Sequence, residues 1–297
     1  MRVVVALGGN ALCRRGECVE PEVMRARLAE ASRELAAVAS RHELVVTHGN
    51  GPQVGLLALQ AEAHGDALAL DLLGAESEGM IGFLIEEALA SRLPGSDVAV
   101  LLTQVVVDAA DPAFGQPDKP IGPVYDAEKG AALAKARGWT MVREPDGLRR
   151  VVASPKPRGV RELGAIRKLV EAGVIVVCAG GGGVPVVVGE HGVHGVPAVV
   201  DKDLTTALIA EGLGADALVL LTDVPNVFLD WPANHAPVAR TTPDAIRRVK
   251  FARGSMGPKV EAACRFAAAT GKPARIGALG QLEAVLEGHA GTTIVPA

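Results

Sequence analysis

The sequence predicts an α/β protein: a three-layer αβα sandwich around a central, mostly parallel sheet, with a protruding β-hairpin subdomain. Three observations carry this expectation. Short runs that are apolar throughout, such as "VVVAL", "ELVVTH" and "ADALVLL", alternate with longer amphipathic stretches, as they do when strands are covered on both faces by helices. Glycines follow several of these runs immediately. A chain of 297 residues with 49% hydrophobic and 22% charged residues can also bury one large core.

The elements follow in order. "VVVALGGNAL", residues 3 to 12, is a strand that breaks at Gly8-Gly9-Asn10. In "PEVMRARLAEASRELAAVASRH", Met24, Leu28, Ala31, Leu35 and Val38 recur at alternating spacings of four and three, the mark of an amphipathic helix. "ELVVTHGNGPQVG" is a second strand ending in Gly49-Asn50-Gly51. A further helix, "ESEGMIGFLIEEALASRL", sets Ile81, Leu84, Ile85, Ala88 and Leu89 on one face, and the strand "DVAVLLTQVVV" follows. From Asp108 the pattern changes. Pro112, Pro117, Pro120 and Pro123 crowd one stretch and predict that no regular element runs through it. Two β-like runs then flank Pro145-Asp146-Gly147, a hairpin signal. Residues 108 to 153 therefore read as an insert standing off the main sheet. The α/β pattern resumes with a helix, a buried strand and the glycines 180 to 183, and continues through "GVPAVVDKDLTTALIAEGLGADALVLLTDV" and "GSMGPKVEAACRFAAATGKPARIGAL".

Composition excludes several function classes. Aromatic residues are 3% of the chain and the net charge is -4, which leaves neither a stacking platform nor a basic footprint for nucleic acid. Nowhere do about 18 uncharged apolar residues run together, so no membrane segment and a cytoplasmic location are expected. Cys13, Cys18, Cys178 and Cys264 include no C-x-x-C pair and read as reduced packing residues.

Four glycine-rich loops, at Gly8-Gly9-Asn10, Gly49-Asn50-Gly51, Gly180 to Gly183 and Gly254-Ser255-Met256-Gly257, fall at strand ends or helix starts. Backbone amides there point outward and bind anions. One such loop alone is an ordinary tight turn; four together point to a phosphate or carboxylate site. A P-loop is excluded, because Pro273 follows the candidate Gly271-Lys272, and "GNGPQVG" is one residue too long for a dinucleotide fingerprint. Lys202, flanked by Asp201 and Asp203, directly follows a buried strand, and Lys259 opens a helix. Isolated, such charges are a surface pair of little consequence. Beside glycine loops, two lysines can neutralise a transferring phosphoryl group. His191 and His194 have a possible metal spacing but no third ligand nearby and read as a hairpin tip, so no protein metal ligand is assigned. His48 has no evident chemical task, and Cys178 reads as core.

The blocks "VVALGGNAL", "THGNGPQVG", "DPAFGQPDKPIGPVY", "AGGGGVPVV", "GVPAVVDKDL", "ADALVLLTDV", "GSMGPKVEAA" and "AGTTI" run in order from end to end of the chain. In this it resembles the carbamate kinase branch of the amino-acid kinase family, to which the "DPAFGQPDKPIGP" block is particular. The resemblance implies a single domain over 1–297 in two lobes. Residues 1–212 would form the acceptor lobe, with the insert 108–153 as its lid, and 213–297 the nucleotide-binding lobe. It implies reversible Mg²⁺-dependent phosphoryl transfer, ATP plus carbamate to ADP plus carbamoyl phosphate, used to make ATP in arginine or amino-acid catabolism by a homodimer. Gly8, Gly9 and Asn10, with Gly49, Asn50 and Gly51, would line the crevice where carbamate meets the phosphoryl group. Lys202 and Lys259 would stabilise that group, Asp203 would orient them, and Lys119 would close over the acceptor. Asp216, Thr222, Asp223, Val224, Met256 and Gly257 would form the nucleotide pocket. Pro225-Asn226 and Phe228 depart from the family pattern, which bears on the adenine contacts. The alternatives are an amino-acid kinase with another carboxylate acceptor and a non-catalytic nucleotide or carbamoyl-phosphate sensor. The presence of both lysines speaks against the sensor.

Overall fold

A computed structural model describes residues 1–13, 20–63, 68–229, 236–251 and 256–296. Cys18, Gly254 and Ser255 lie outside these. The chain begins β1 (Arg2–Leu7), α1 (Pro21–Ala39), β2 (Glu43–His48), α2 (Gly51–Ala63), α3 (Leu70–Ala90), β3 (Val98–Leu101) and β4 (Gln104–Val107). The insert contributes β5 (Lys119–Tyr125), α4 (Ala127–Arg137), β6 (Thr140–Glu144) and β7 (Gly147–Val152). Next come β8 (Pro157–Val160), α5 (Leu163–Glu171), β9 (Ile175–Cys178), β10 (Val184–Gly189), β11 (Gly192–Gly195) and α6 (Lys202–Leu213). The chain closes with β12 (Ala217–Thr222), β13 (Val227–Phe228), β14 (Pro237–Val238), β15 (Arg240–Thr241), α7 (Pro243–Ile246), α8 (Met256–Thr270), β16 (Ala274–Ala278), α9 (Leu282–Glu287) and β17 (Thr292–Ile294).

Among the described residues the main sheet has eight strands in the order β15-β17-β16-β12-β1-β2-β9-β3. Its pairings are parallel except where β16 meets β17. Alternation along each strand divides the interior into two cores. Val3, Val5 and Leu7 of β1 pack with Leu28 and Leu35 of α1, Ile81 and Ile85 of α3, and Val285 of α9. Val4 and Ala6 turn to the opposite face, against Ile166 of α5, Ile209 of α6 and Phe266 of α8. Each fully buried aliphatic or aromatic side chain contributes about 1.5–3 kcal/mol, and this two-sided burial is why the strands carry no polar alternation. All five residues assigned to the inner stripe of α1 are buried. Helix α3 begins at Leu70, six residues before the stretch read as helical.

The insert contains an antiparallel sheet β5-β7-β6, with the expected hairpin between β6 and β7, where Glu144 pairs with Gly147. The expectation that no regular element crosses the proline-rich stretch is corrected: β5 runs from Lys119 to Tyr125. It is an edge strand, where a missing N–H costs no ladder bond, and its register shifts between Ile121 and Val124, so a bulge accommodates Pro123. Gly122 within the bulge has φ +65°, and a Cβ on Gly55 of α2 would lie 2.6 Å from its Cα. The insert thus seats directly on α2. A second small sheet, β11-β10-β4-β8, links the insert to the main body; His191 lies in the β10–β11 turn and His194 on β11, both exposed.

Candidate active site

The carboxyl ends of the parallel strands converge on one cleft, where open α/β sheets bind their ligands. Gly8 follows β1 so closely beside β12 that a Cβ would sit 3.0 Å from the Leu221 carbonyl oxygen. Gly9 opens a single 3-10 turn, Gly9–Ala11, which includes the backbone of Asn10; nothing is described of that side chain. Gly49 lies against this turn, its hypothetical Cβ being 3.4 Å from the Gly9 nitrogen and 3.7 Å from the Lys202 Cε. Gly51 starts α2. A cavity of about 290 Å³ is lined by Gly9, Gly49, Asn50, Gly51, Lys119, Gly181, Asp201, Lys202, Asp203 and Lys259.

The charges are arranged asymmetrically. Asp203, in the first turn of α6, accepts from Lys202 Nζ at 2.5 Å on one oxygen and from Lys259 Nζ at 2.9 Å on the other. The three side chains are 5%, 11% and 12% exposed. Burial alone would push the Asp203 carboxyl up, but the two ammonium groups hold it well below the usual carboxylate range. Burial pulls Lys202 down, and Asp203 only partly offsets this. For Lys259 burial acts the same way and is the largest single influence, but the Asp203 charge and hydrogen bond together with the charges of Asp201 and Asp223 outweigh it, and the net direction is up. One buried carboxylate therefore serves two buried cations. The neighbouring Asp201 is already engaged: it accepts from Lys119 Nζ at 2.8 Å and caps α6 through the Asp203 amide at 3.0 Å. The arrangement leaves excess positive charge, little solvated, beside outward-facing amides, and is suited to an anion carrying more than one negative charge.

The residues expected to bind nucleotide are divided. Thr222 ends β12 next to Gly8, and its hydroxyl donates to the Asp223 carboxylate at 3.1 Å. Asp223 is exposed and Val224 half-buried. Met256 starts α8 and packs against the core. Gly257 lines a second cavity, of about 740 Å³, together with Lys119, Asp201, Phe251 and Pro258, three of which also border the first. Asp216 is not brought to the cleft. It precedes β12 at the far end of the sheet, where it accepts from the Arg2 amide and Lys272 Nζ. Six residues of strand, about 20 Å, separate it from Thr222.

Sequence reasoning passed over the buried polar layer beneath the loops. His48 is buried, its Nδ1 donates to the Gly49 carbonyl at 3.1 Å, and burial pulls its imidazole down to about 4, so the ring is neutral. Thr205 donates to the Gly182 carbonyl at 2.9 Å, and Thr206 ties Thr47 of β2 to the Lys202 carbonyl. Ser77 and Glu78 of α3 are buried as well. Their signal was available: residues 77, 78, 81, 84 and 85 fall on one helical face, so two polar residues sit on the apolar stripe. Cys13, Cys178 and Cys264 are buried, and burial pushes the Cys178 thiol up. Among the described residues no group of three His, Cys, Asp or Glu side chains could hold a metal, and no helix is long and apolar enough to cross a membrane.

The profile of the amino acid kinase family matches residues 1–278. The chain belongs to that family. Among its relatives in the amino acid kinase family, the carbamate kinase of Haemophilus influenzae is 49% identical, over 99% of this chain and 96% of that protein. The carbamate kinase of Pyrococcus horikoshii is 42% identical over 99% of both. The structure of the Giardia lamblia carbamate kinase bound to AMP-PNP superimposes with a TM-score of 0.91 at 35% identity, covering 100% of this chain and 98% of the other. With this the three-layer amino acid kinase fold expected from the sequence is established.

Proposed function

We propose that the chain is a carbamate kinase, transferring a phosphoryl group reversibly between ATP and carbamate. The observation that carries this reading is the cationic cleft, two buried lysines on one aspartate among the glycine loops, in a chain nearly half identical to carbamate kinases along its whole length. Carbamate is already an anion, so its oxygen attacks the γ-phosphorus without a general base, and the bond to the ADP oxygen breaks as ADP leaves with the electron pair. Catalysis then consists of alignment and charge neutralisation. Lys202 and Lys259 take up the charge on the transferring group, and Asp203 holds both ammonium groups in place. The amides around Gly9 and Gly49 to Gly51 bind the acceptor side, and Lys119, tied to Asp201, covers it. His48, neutral and buried, takes no proton. The nucleotide side falls to Thr222, Asp223, Val224, Met256 and Gly257.

Mg²⁺ fits this site as a nucleotide-borne ion. Asp201 and Asp203 are both occupied by lysines, which suits a cation that keeps its waters and is held through phosphates. When bound it supplies charge neutralisation between the phosphates. Residues 1–212, with the lid at 108–153, serve the acceptor, and 213–297 the nucleotide. The two share one sheet and both of its cores.

A homodimer in the cytoplasm completes the proposal. Leu72, Met80 and Phe83 on the outer face of α3 and Val100 and Leu102 at the β3 edge are exposed, a row of large apolar side chains that a second copy would cover. ATP made from carbamoyl phosphate in amino-acid breakdown is the direction we favour, since the acyl phosphate is the higher-energy donor.

The test is Mg²⁺-dependent ATP formation from ADP and carbamoyl phosphate, with acetyl phosphate and acetylglutamyl phosphate as competing donors. Selective turnover of carbamoyl phosphate is expected. Preference for another donor, or ADP binding without turnover, would overturn the assignment.

A further inference from the structure

Two consecutive side chains of α3 reach two different glycine loops. Ser77 Oγ accepts from Asn50 Nδ2 at 2.8 Å and donates to the Gly74 carbonyl at 2.7 Å. Glu78 accepts from the Gly180 amide at 2.8 Å and from the Thr103 amide at 3.3 Å. The loops they hold are in direct contact with each other: a Cβ on Gly181 would fall 2.1 Å from the Asn50 Nδ2. The third loop is also strained. Ala179 sits at φ +51°, the one non-glycine residue with positive φ among those described, a conformation that costs about 1–3 kcal/mol and persists only where its surroundings fix it. Thr103 Oγ1 accepts from the Ala179 amide at 2.9 Å, so Thr103 and Glu78 together hold the backbone on either side of the Ala179–Gly180 bond. Neither Ser77 nor Glu78 is among the residues lining the cleft. A Cβ on Gly180 would meet His48 at 2.3 Å and Glu78 Cγ at 3.0 Å, which leaves the loop no room to settle deeper.

We propose that Ser77 and Glu78 are positioning residues that act as one clamp from below, fixing the distance between Asn50 and the Gly180–Gly182 loop and so the alignment of donor and acceptor in the cleft. The proposal rests on reading the cleft as the phosphoryl-transfer site. Burial pushes the Glu78 carboxyl up to about 8, which accords with a group retained for its reach to two amides rather than for a full charge. Helix α3 also carries the exposed apolar row, so the clamp and the outer face belong to one rigid element.

The experiment compares Ser77→Ala, Glu78→Gln and Glu78→Asp with the unaltered protein. It reads kcat and KM for carbamoyl phosphate and ADP, together with amide hydrogen exchange of peptides covering residues 49–54 and 179–184. Displacing a reacting group by a fraction of an ångström to 1 Å costs roughly 10-fold to 100-fold in rate. Glu78→Asp, which withdraws both oxygens by one methylene, is expected to lose kcat in that range, with KM for ADP within about twofold. Glu78→Gln keeps an acceptor oxygen at the original reach and retains more of kcat than Glu78→Asp. Ser77→Ala loses a smaller factor, and in every variant faster exchange is confined to the two loops. An unchanged kcat in a folded Glu78→Asp, or a higher kcat for Asp than for Gln, would overturn the proposal. If Glu78→Asp does not fold, Ser77→Ala decides: unaltered kcat and loop exchange would overturn the clamp, and a lower kcat with faster loop exchange would support it. If the unaltered protein does not turn over carbamoyl phosphate, the functional reading fails by itself. The exchange data still decide the clamp, since loosening of 49–54 on replacing Glu78, which does not touch that loop, requires the coupling.

Discussion

The two ends of the central sheet carry the same kind of chemistry with different consequences. At the carboxyl end Asp203 is 5% exposed and bound by two lysines that are themselves almost covered. At the amino end Asp216 is 42% exposed and pairs with Lys272, 37% exposed, while also accepting the Arg2 amide. Both carboxyls are held below their ordinary range, Asp203 against the penalty of burial and Asp216 by the Lys272 hydrogen bond first and the Arg2 amide next. The difference lies in what remains unneutralised. The Asp216 end is balanced and open to water, whereas the Asp203 end retains a cation in excess in a poorly solvated place. Only the second gains by receiving an anion.

The change expected to break this contrast most strongly is Asp203→Asn. It strands two buried ammonium groups, and removing one partner of a buried ionic cluster costs about 3–5 kcal/mol. The sign with pH follows from its depressed carboxyl: the stabilisation is present above the unfolded-state value of about 4 and is lost as pH falls below it. Asp203→Asn should therefore lower the midpoint of urea unfolding at pH 7 and flatten its decline below about pH 4. Equal destabilisation of both proteins across that range would remove the buried cluster from the explanation.

Next in size are Lys202→Ala and Lys259→Ala. Each is expected to reduce kcat about 10²- to 10³-fold, the effect of losing one preorganised transition-state donor, while the fold survives. Because Asp203 keeps its Lys259 partner when Lys202 is removed, Lys202→Ala should lower the unfolding midpoint less than Asp203→Asn does. Steady-state kinetics with parallel urea unfolding checks both parts, and near-normal turnover in either variant would dissolve the cleft half of the comparison. Lys119→Ala is milder. Its side chain is 31% exposed and already satisfied by Asp201, so the loss of one charge-assisted hydrogen bond should raise KM for carbamoyl phosphate about tenfold, leaving ADP affinity untouched.

How these regions could be read in advance differs for a physical reason. Strand β1 and helix α1 were legible because burial imposes its period on every residue: one uninterrupted apolar run for a strand covered twice, one stripe for a helix covered once. Lys202, Asp203 and Lys259 were legible because lysines at helix starts beside glycine loops have few structural uses, although the apolar run before Lys202 is not a strand and carries only an isolated bridge at Ala198. Asp216 misled because only its neighbourhood in sequence was considered. It precedes β12 rather than following it, and in a parallel sheet that single fact puts it at the wrong end. Strand β5 was hidden by prolines that an edge position and a bulge accommodate. Ser77 and Glu78 show their burial by sitting on the apolar stripe of α3, but nothing local announces that two loops, one of them strained at Ala179, lie above them. Long-range contact, rather than local pattern, decides each of these.

The smallest expected effect completes the contrast. Asp216→Asn removes a carboxylate from a half-exposed pair, for which a surface ion pair is worth about 0–1 kcal/mol, and an asparagine oxygen still accepts the Arg2 amide. Lys272 loses little, because its ammonium also donates to the Gly214 carbonyl at 3.0 Å and remains in water. Stability at pH 7 should fall by no more than about 1 kcal/mol, and less at high salt, where exposed charges are screened. With some 20 Å of strand between Asp216 and the cleft, kcat and both KM values should be unchanged. Kinetics at two salt concentrations beside urea unfolding tests this directly. A loss of nucleotide affinity in Asp216→Asn would mean that the two ends of the sheet are coupled through β12, and burial at the cleft would no longer suffice to explain why one aspartate matters and the other does not.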